Sequence, residues 1–287
     1  MLAVFPLVVE QLINEYAQSL LTCVTCTHLL EFDGQKWTKS ELHGTGPSDS
    51  RLWQFAHLMN GKIIVCKKDE WFEVVQNSWR RVDFTPPPTR NYATCMTNPY
   101  IMASGGIRLR KNAVPLEDCM FGFIRDCHLS GYDFAPWSYS LPQGVFGHQM
   151  QYVNNRVFVF AGFSSHQQQT FSMNVWAFDF DINQWIIRTP LRIVFSPGIK
   201  TSCVVGERIF VFGRTVCFIY DTVNDFWRQT VCPWEAYMTP QQSAFFNDQI
   251  YLFGFAKAQH NNRLSPNTLI WSHFDDCSIS NCPIVVI

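Results

Sequence analysis

The stretch Gly144-Val145-Phe146-Gly147-His148-Gln149-Met150-Gln151-Tyr152-Val153, with its continuation to Leu191, decides the fold. A polar turn at Asn154-Asn155-Arg156 leads into Val157-Phe158-Val159-Phe160-Ala161-Gly162, and a long polar loop leads on to Val175-Trp176-Ala177-Phe178-Asp179-Phe180. A second turn, Asp181-Ile182-Asn183-Gln184, precedes Trp185-Ile186-Ile187-Arg188. Short apolar runs rich in β-branched and aromatic residues, closed by Asn, Asp or Gly, predict a meander of four antiparallel strands. One such sheet cannot bury both of its faces alone, so further sheets are expected around it.

Two marks from this stretch recur along the chain. The first, a polar turn entering a β-branched run, returns at Asn60-Gly61-Lys62-Ile63-Ile64-Val65, Asn98-Pro99-Tyr100-Ile101-Met102, Gly206-Glu207-Arg208-Ile209-Phe210-Val211 and Asn247-Asp248-Gln249-Ile250-Tyr251-Leu252. The second, a tryptophan shortly after a Phe/Tyr-containing strand, falls at Trp37, Trp79, Trp137, Trp185 and Trp227. These tryptophans lie roughly 42 to 58 residues apart, a period of propeller repeats.

Composition agrees with a well-cored protein. Apolar residues make up 47% and aromatics 15% of the 287 residues, against 16% charged. The formal charge of −1, with no block of Lys or Arg, gives no nucleic acid and no membrane surface as the main partner. Eleven cysteines without a short repeating framework read as reduced, buried thiols and a cytoplasmic location. The apolar start, Met1 to Val9, lacks a basic region and is interrupted by Pro6, unlike a signal peptide.

The units resemble kelch repeats, in which a glycine pair ends the second strand, an aromatic lies in the third and a tryptophan opens the fourth. The pair is intact at Gly105-Gly106; Ala161-Gly162, Phe212-Gly213 and Phe253-Gly254 keep one glycine, and Cys66-Lys67 keeps none. The resemblance implies an all-β, six-bladed β-propeller of four-stranded antiparallel blades, one domain over 1–287 with blades near 8–42, 51–84, 88–141, 144–191, 197–231 and 239–287. It also implies a non-enzymatic module that binds a peptide or protein. Kelch propellers often stand behind BTB or F-box domains as substrate-recognition adaptors for ubiquitin ligases, or bind cytoskeletal proteins. No BTB or F-box domain is read in this chain, so an adaptor role would reach a ubiquitin-ligase component through a partner. Kelch-type copper oxidases and small-molecule lyases supply the enzymatic alternative.

The ends are the least regular. Residues 11–21 align with 241–251 as two strands of the first blade, yet Val9, Leu12, Ile13, Tyr16 and Leu20 also share a helical face. The strand reading is favoured because Trp37 needs three preceding strands in its sheet. In the last unit, 268–274 reads as the third strand and 283–287 as a fourth without its tryptophan. Residues 1–7 would close the ring, through 2–5 joining the last blade.

In an up-and-down blade, the link between blades and the loop between strands two and three leave from the same face. Three long polar loops are expected there, 107–116, 164–174 and 256–267, carrying Arg108, Arg110 and Lys111, then His166, then His260 and Arg263. Counting back from each turn places Gln54, Tyr92, His148, Lys200 and Gln241 at the starts of the inner strands, flanked by Arg51 and Arg90. Arg forks on exposed loops suit acidic or polar side chains of a partner.

No catalytic, cofactor or metal residues are assigned. Cys23-Val24-Thr25-Cys26 with His28 has half the spacing of a zinc site, but no second pair completes a tetrahedron. The histidines are dispersed, and there is no phosphate loop, nucleophile elbow or His-Glu-X-X-His.

Overall fold

The computed structural model describes residues 21–24, 27–33, 36–47, 53–59, 62–67, 70–82, 84–85, 93–97, 101–106, 119–124, 132–136, 139–165, 170–192, 199, 201–234, 240, 242–253, 261–274 and 284–286. All regular structure among them is β, and no helix is long and apolar enough to cross a membrane.

In chain order, β1 (Leu21–Val24), β2 (His28–Phe32) and β3 (Trp37–Glu41) belong to sheet I. Sheet II is β4 (Trp53–Met59), β5 (Lys62–Lys67), β6 (Glu70–Val75) and β7 (Ser78–Val82). After β8 (Phe84–Thr85), sheet III takes β9 (Ala93–Met96), β10 (Ile101–Ser104), β11 (Cys119–Ile124) and β12 (Tyr132–Pro136). Next come β13 (Gln149–Val153), β14 (Arg156–Phe160), a separate hairpin of β15 (Phe163–Ser165) and β16 (Thr170–Phe171), then β17 (Val175–Asp179) and β18 (Gln184–Arg188). Sheet IV runs β13-β14-β17-β18. Sheet V is β19 (Thr201–Val205), β20 (Arg208–Phe212), β21 (Val216–Asp221) and β22 (Phe226–Val231). Sheet VI is β23 (Gln242–Phe246), β24 (Gln249–Phe253), β25 (Asn261–Leu264) and β26 (Trp271–Phe274), and β27 (Ile284–Val286) follows.

The turns form where the sequence supplies residues that tolerate left-handed backbone. Asn154 and Asn155 have φ of 48° and 58°, Asn247 and Asp248 of 45° and 56°, and Gln76 and Asn77 of 49° and 56°. A two-residue link with positive φ at both positions matches the twist of the strands it joins. The runs after the Asn154-Asn155 and Asn247-Asp248 turns are then buried on both faces. In β14, Val157 and Val159 pack toward sheet III, whereas Phe158 and Phe160 pack toward sheet V. In β20, Ile209 and Val211 face sheet IV, and Phe210 and Phe212 face sheet VI. In β24, Ile250 and Leu252 face sheet V, and Tyr251 and Phe253 face sheet I. Each such side chain contributes roughly 1.5 to 3 kcal/mol, which is why these runs are continuously apolar where a one-sided sheet would alternate.

The innermost strands β4, β9, β13, β19, β23 and β27 each neighbour the next, and β27 returns to β4. The arrangement is propeller-like. Tryptophans of the outermost strands fasten consecutive sheets: the Trp227 indole N–H donates to the Thr189 carbonyl at 2.9 Å, and that of Trp271 to the Val231 carbonyl at 3.1 Å. Cys95, Cys203, Cys217 and Cys232 are free thiols, and burial raises the pKa of each.

Several expectations are corrected. Of six like units, each a self-contained four-stranded antiparallel meander, only sheets II, IV, V and VI are built that way among the described residues. Sheet III gains β8, paired in parallel with the edge of β12. Sheet I takes its inner strand from the far end of the chain, Ile284, Val285 and Val286 pairing antiparallel with Cys23, Thr22 and Leu21. Residues 284–286 are therefore not the fourth strand of the last sheet, and among the described residues Trp37 has two preceding strands of its own sheet, β1 and β2, where three were expected. The third strand of sheet VI is Asn261–Leu264, and Trp271 opens its fourth. A turn across 265–270 separates them, with the Leu269 N–H on the Ser265 carbonyl at 2.8 Å. The closing strand proposed at 2–5 and the strands at 11–20 lie outside the described residues.

Candidate functional site

Strand order gives each sheet two unlike ends. One carries the tight turns between its first and second and its third and fourth strands. The other carries the links between strands two and three and the passages from sheet to sheet, so this loop face is where chain of variable length accumulates.

Its best-described sector lies between sheets III and IV. Gly105 and Gly106 have φ of 63° and 100°, and the Gly106 N–H donates to the Val145 carbonyl at 2.8 Å. A Cβ at Gly105 would stand 2.3 Å from that carbonyl oxygen and 2.7 Å from His148 Cε1. The passage into sheet IV is therefore laid directly on the end of β10, and only glycine leaves room. One sheet on, Gly162 meets the same strand entry, a Cβ there falling 2.7 Å from His148 Cβ and 2.9 Å from the Phe146 carbonyl oxygen. Ala161, in the first position of that degenerate pair, keeps the left-handed backbone at φ 62°.

His148 is wedged between these two glycine positions. It is buried, its Nε2 is 2.9 Å from Ser104 Oγ, and Nδ1 has no hydrogen-bond partner. Burial lowers its pKa from 6.5 to about 3, so it stays neutral in the folded chain. Above pH 6.5 neither state is protonated and His148 adds no slope; as pH falls below 6.5 the unfolded chain takes up a proton that the folded chain refuses. Stability then drops by about 1.4 kcal/mol per pH unit from this residue. Denaturant titrations between pH 7 and 5 should show the drop, and His148→Gln should flatten it; equal slopes in both proteins would contradict this assignment.

The β15–β16 hairpin stands on the loop face and folds back on the entry to β13. Phe146 and Phe163 exchange backbone hydrogen bonds, 2.9 and 3.1 Å, and their rings are 5.5 Å apart, with Phe171 a further 5.9 Å from Phe163. Gln143 Oε1 accepts from Asn174 Nδ2 at 2.9 Å and from Ser172 Oγ at 3.4 Å, anchoring the descending arm. Met173 and Tyr139 are exposed beside it, and Arg192 and Arg214 are exposed on the same face.

Of the residues singled out from sequence, Gln54 lies in β4, an inner strand as expected. His148 directly precedes inner strand β13 and is withdrawn from solvent. Arg263 is in β25, not in a loop, and its Nε donates to Ser272 Oγ of the adjacent strand at 2.9 Å. Arg51, Arg90, Tyr92, Arg108, Arg110, Lys111, His166, Lys200, Gln241 and His260 lie outside the described residues, as does Cys26. Sequence reasoning missed the Phe146, Phe163 and Phe171 cluster. Phe171 lay hidden inside what read as a polar loop, and Phe146 and Phe163 at the edges of strand-like runs.

A family model for the kelch motif matches residues 144–192, the span of sheet IV with its hairpin and the passages at both ends. The kelch motif in this span and the propeller-like arrangement of the sheets support a kelch-repeat family. No curated protein matches it. The kelch glycine pair is explained by the Gly105 contacts, and the kelch tryptophan by the indole bonds of Trp227 and Trp271. Kelch propellers in general are protein-interaction modules.

Proposed function

We propose that the chain is a closed, six-bladed kelch propeller that docks a peptide or protein segment with acidic or polar side chains on its loop face, acting in the cytoplasm without catalysis. The observation that supports this reading is the cycle of contacts among the described inner strands β4, β9, β13, β19, β23 and β27. A rigid ring with loops of unequal length offers a preformed surface, and preformed surfaces lose little entropy on binding. The exposed Arg192 and Arg214 and the anchored hairpin stem support a polar, partly basic rim. Arg108, Arg110 and Lys111, which lie outside the described residues, would extend it. As an adaptor, the ring would pass its bound protein to a ubiquitin-ligase component; as a scaffold, to the cytoskeleton.

Reversing the loop charges with Arg108→Glu, Arg110→Glu and Lys111→Glu should reduce recovery of the principal partners about tenfold, measured by quantitative mass spectrometry of tagged protein pulled from cells. Loss of about 1.4 kcal/mol of binding corresponds to that factor. Unchanged recovery of every partner would remove this loop from the site. A ligase subunit or a cytoskeletal protein among the partners lost would decide between the two roles.

A further inference from the structure

The opposite end of the ring carries a feature that binding on the loop face does not use. Sheets IV, V and VI are consecutive, and each presents one branched aliphatic residue at the turn between its third and fourth strands. Ile182 is 54% exposed, Val223 56% and Ile270 66%. Turn chemistry does not call for them, since the neighbouring Asn183 and Asp225 supply the left-handed positions, φ 55° and 54°. A solitary exposed aliphatic is ordinary, but one at the corresponding turn of three adjacent sheets makes an arc.

The arc is held rigid by side chains that run from turn to turn. Asp181 Oδ1 accepts from Asn155 Nδ2 at 2.6 Å, tying together the two turns of sheet IV. Asn154 Nδ2 donates to Glu207 Oε1 of sheet V at 3.0 Å, and the Glu207 carbonyl accepts from Thr222 Oγ1 at 2.8 Å. Arg208 then reaches the third-to-fourth-strand turn of sheet VI, donating to the Pro266 carbonyl at 3.2 Å and to Asn267 Oδ1 at 3.0 Å.

Charge on this arc is one-sided. Asp179 is paired with Arg156 and Asp225 with Arg188. Asp181, Glu207, Asp221 and Asp248 outnumber the two further arginines near them among the described residues, Arg208, whose guanidinium is bonded to neutral acceptors, and Arg228, which attracts the Asp221 carboxylate. Hydrogen bonds from the turn backbone at Val223 and Asn224 and from the Asn224 side chain hold the Asp221 carboxyl ionised, its pKa lowered.

We infer that the tight-turn arc of sheets IV to VI is a second docking surface, and that its occupant is a basic protein segment with aliphatic anchors spaced to meet Ile182, Val223 and Ile270. Apolar contacts supply affinity, and Lys or Arg between the anchors meets the carboxylates. The surface is separate from the loop face, so the two can be occupied at once.

A random peptide library displayed on phage tests this with the whole chain as bait. Three baits are used: the native protein, the triple variant Ile182→Ser, Val223→Ser and Ile270→Ser, and the loop variant Arg108→Glu, Arg110→Glu and Lys111→Glu. Because the three aliphatics are exposed, the triple variant should melt within a few degrees of the native chain, which circular dichroism checks. Peptides selected by the native and loop-variant baits but lost at least tenfold on the triple variant should be rich in Lys and Arg alternating with Leu, Ile or Val, and should be released by salt. An unchanged selection on the triple variant, or lost peptides that are neutral or acidic, would overturn the inference. So would self-association of the native chain that disappears in the triple variant, since the occupant would then be a second copy. Failure of the loop variant alone bears only on the loop-face reading.

Discussion

Gly105→Ala is expected to destabilise the chain by roughly 2 to 5 kcal/mol, combining a left-handed backbone penalty with overpacking against a fixed neighbour. The added methyl would stand 2.3 Å from the Val145 carbonyl oxygen, which already accepts the Gly106 N–H, and 2.7 Å from the His148 ring. The backbone can retreat only by moving the whole passage into sheet IV, and the ring can retreat only by leaving Ser104. Thermal unfolding followed by circular dichroism should show a fall on the order of 10 °C. Gly147→Ala is the control: its φ of 60° carries the backbone penalty, but nothing lies within 4 Å of the added carbon. A Gly105→Ala protein that melts with the Gly147→Ala protein would show that close approach is not what the glycine pair provides.

The second large effect concerns closure. Deleting residues 284–287 removes three ladder pairs from β1 and takes out the strand that joins β23 to β4 around the axis. At about 1 kcal/mol per hydrogen bond the local loss is a few kcal/mol. The larger consequence is that an inner edge is exposed along β1, and an unpaired edge is a template for association. The truncated chain should therefore unfold at lower denaturant and form concentration-dependent oligomers in analytical ultracentrifugation. A monomer of native stability would mean that sheet I stands without its borrowed strand.

What could be read from sequence was what short-range chemistry dictates. Asn154-Asn155 and Asn247-Asp248 announce tight turns because few other pairs accept two left-handed residues, and the runs after them announce middle strands because both faces are buried. What could not be read was set by partners distant in the chain. Asn261-Asn262-Arg263-Leu264 has the look of a loop, yet it is a strand because β24 and β26 flank it; Asn262 is buried there with an unpartnered Oδ1 that no local rule would place inside. Ile284-Val285-Val286 reads as a strand, but its sheet depends on a pairing across most of the chain. The site was legible only in outline for the same reason. His148 directly precedes inner strand β13, and its burial follows from glycines at 105 and 162 that approach it from two different sheets.

Hydrogen exchange read by mass spectrometry tests ring closure most directly. Peptides covering 21–24 and 284–286 should be protected together, and deleting 284–287 should expose 21–24 to exchange while 208–212 in sheet V stays protected. Rapid exchange at 284–286 in the intact chain, with 21–24 still protected, would contradict closure.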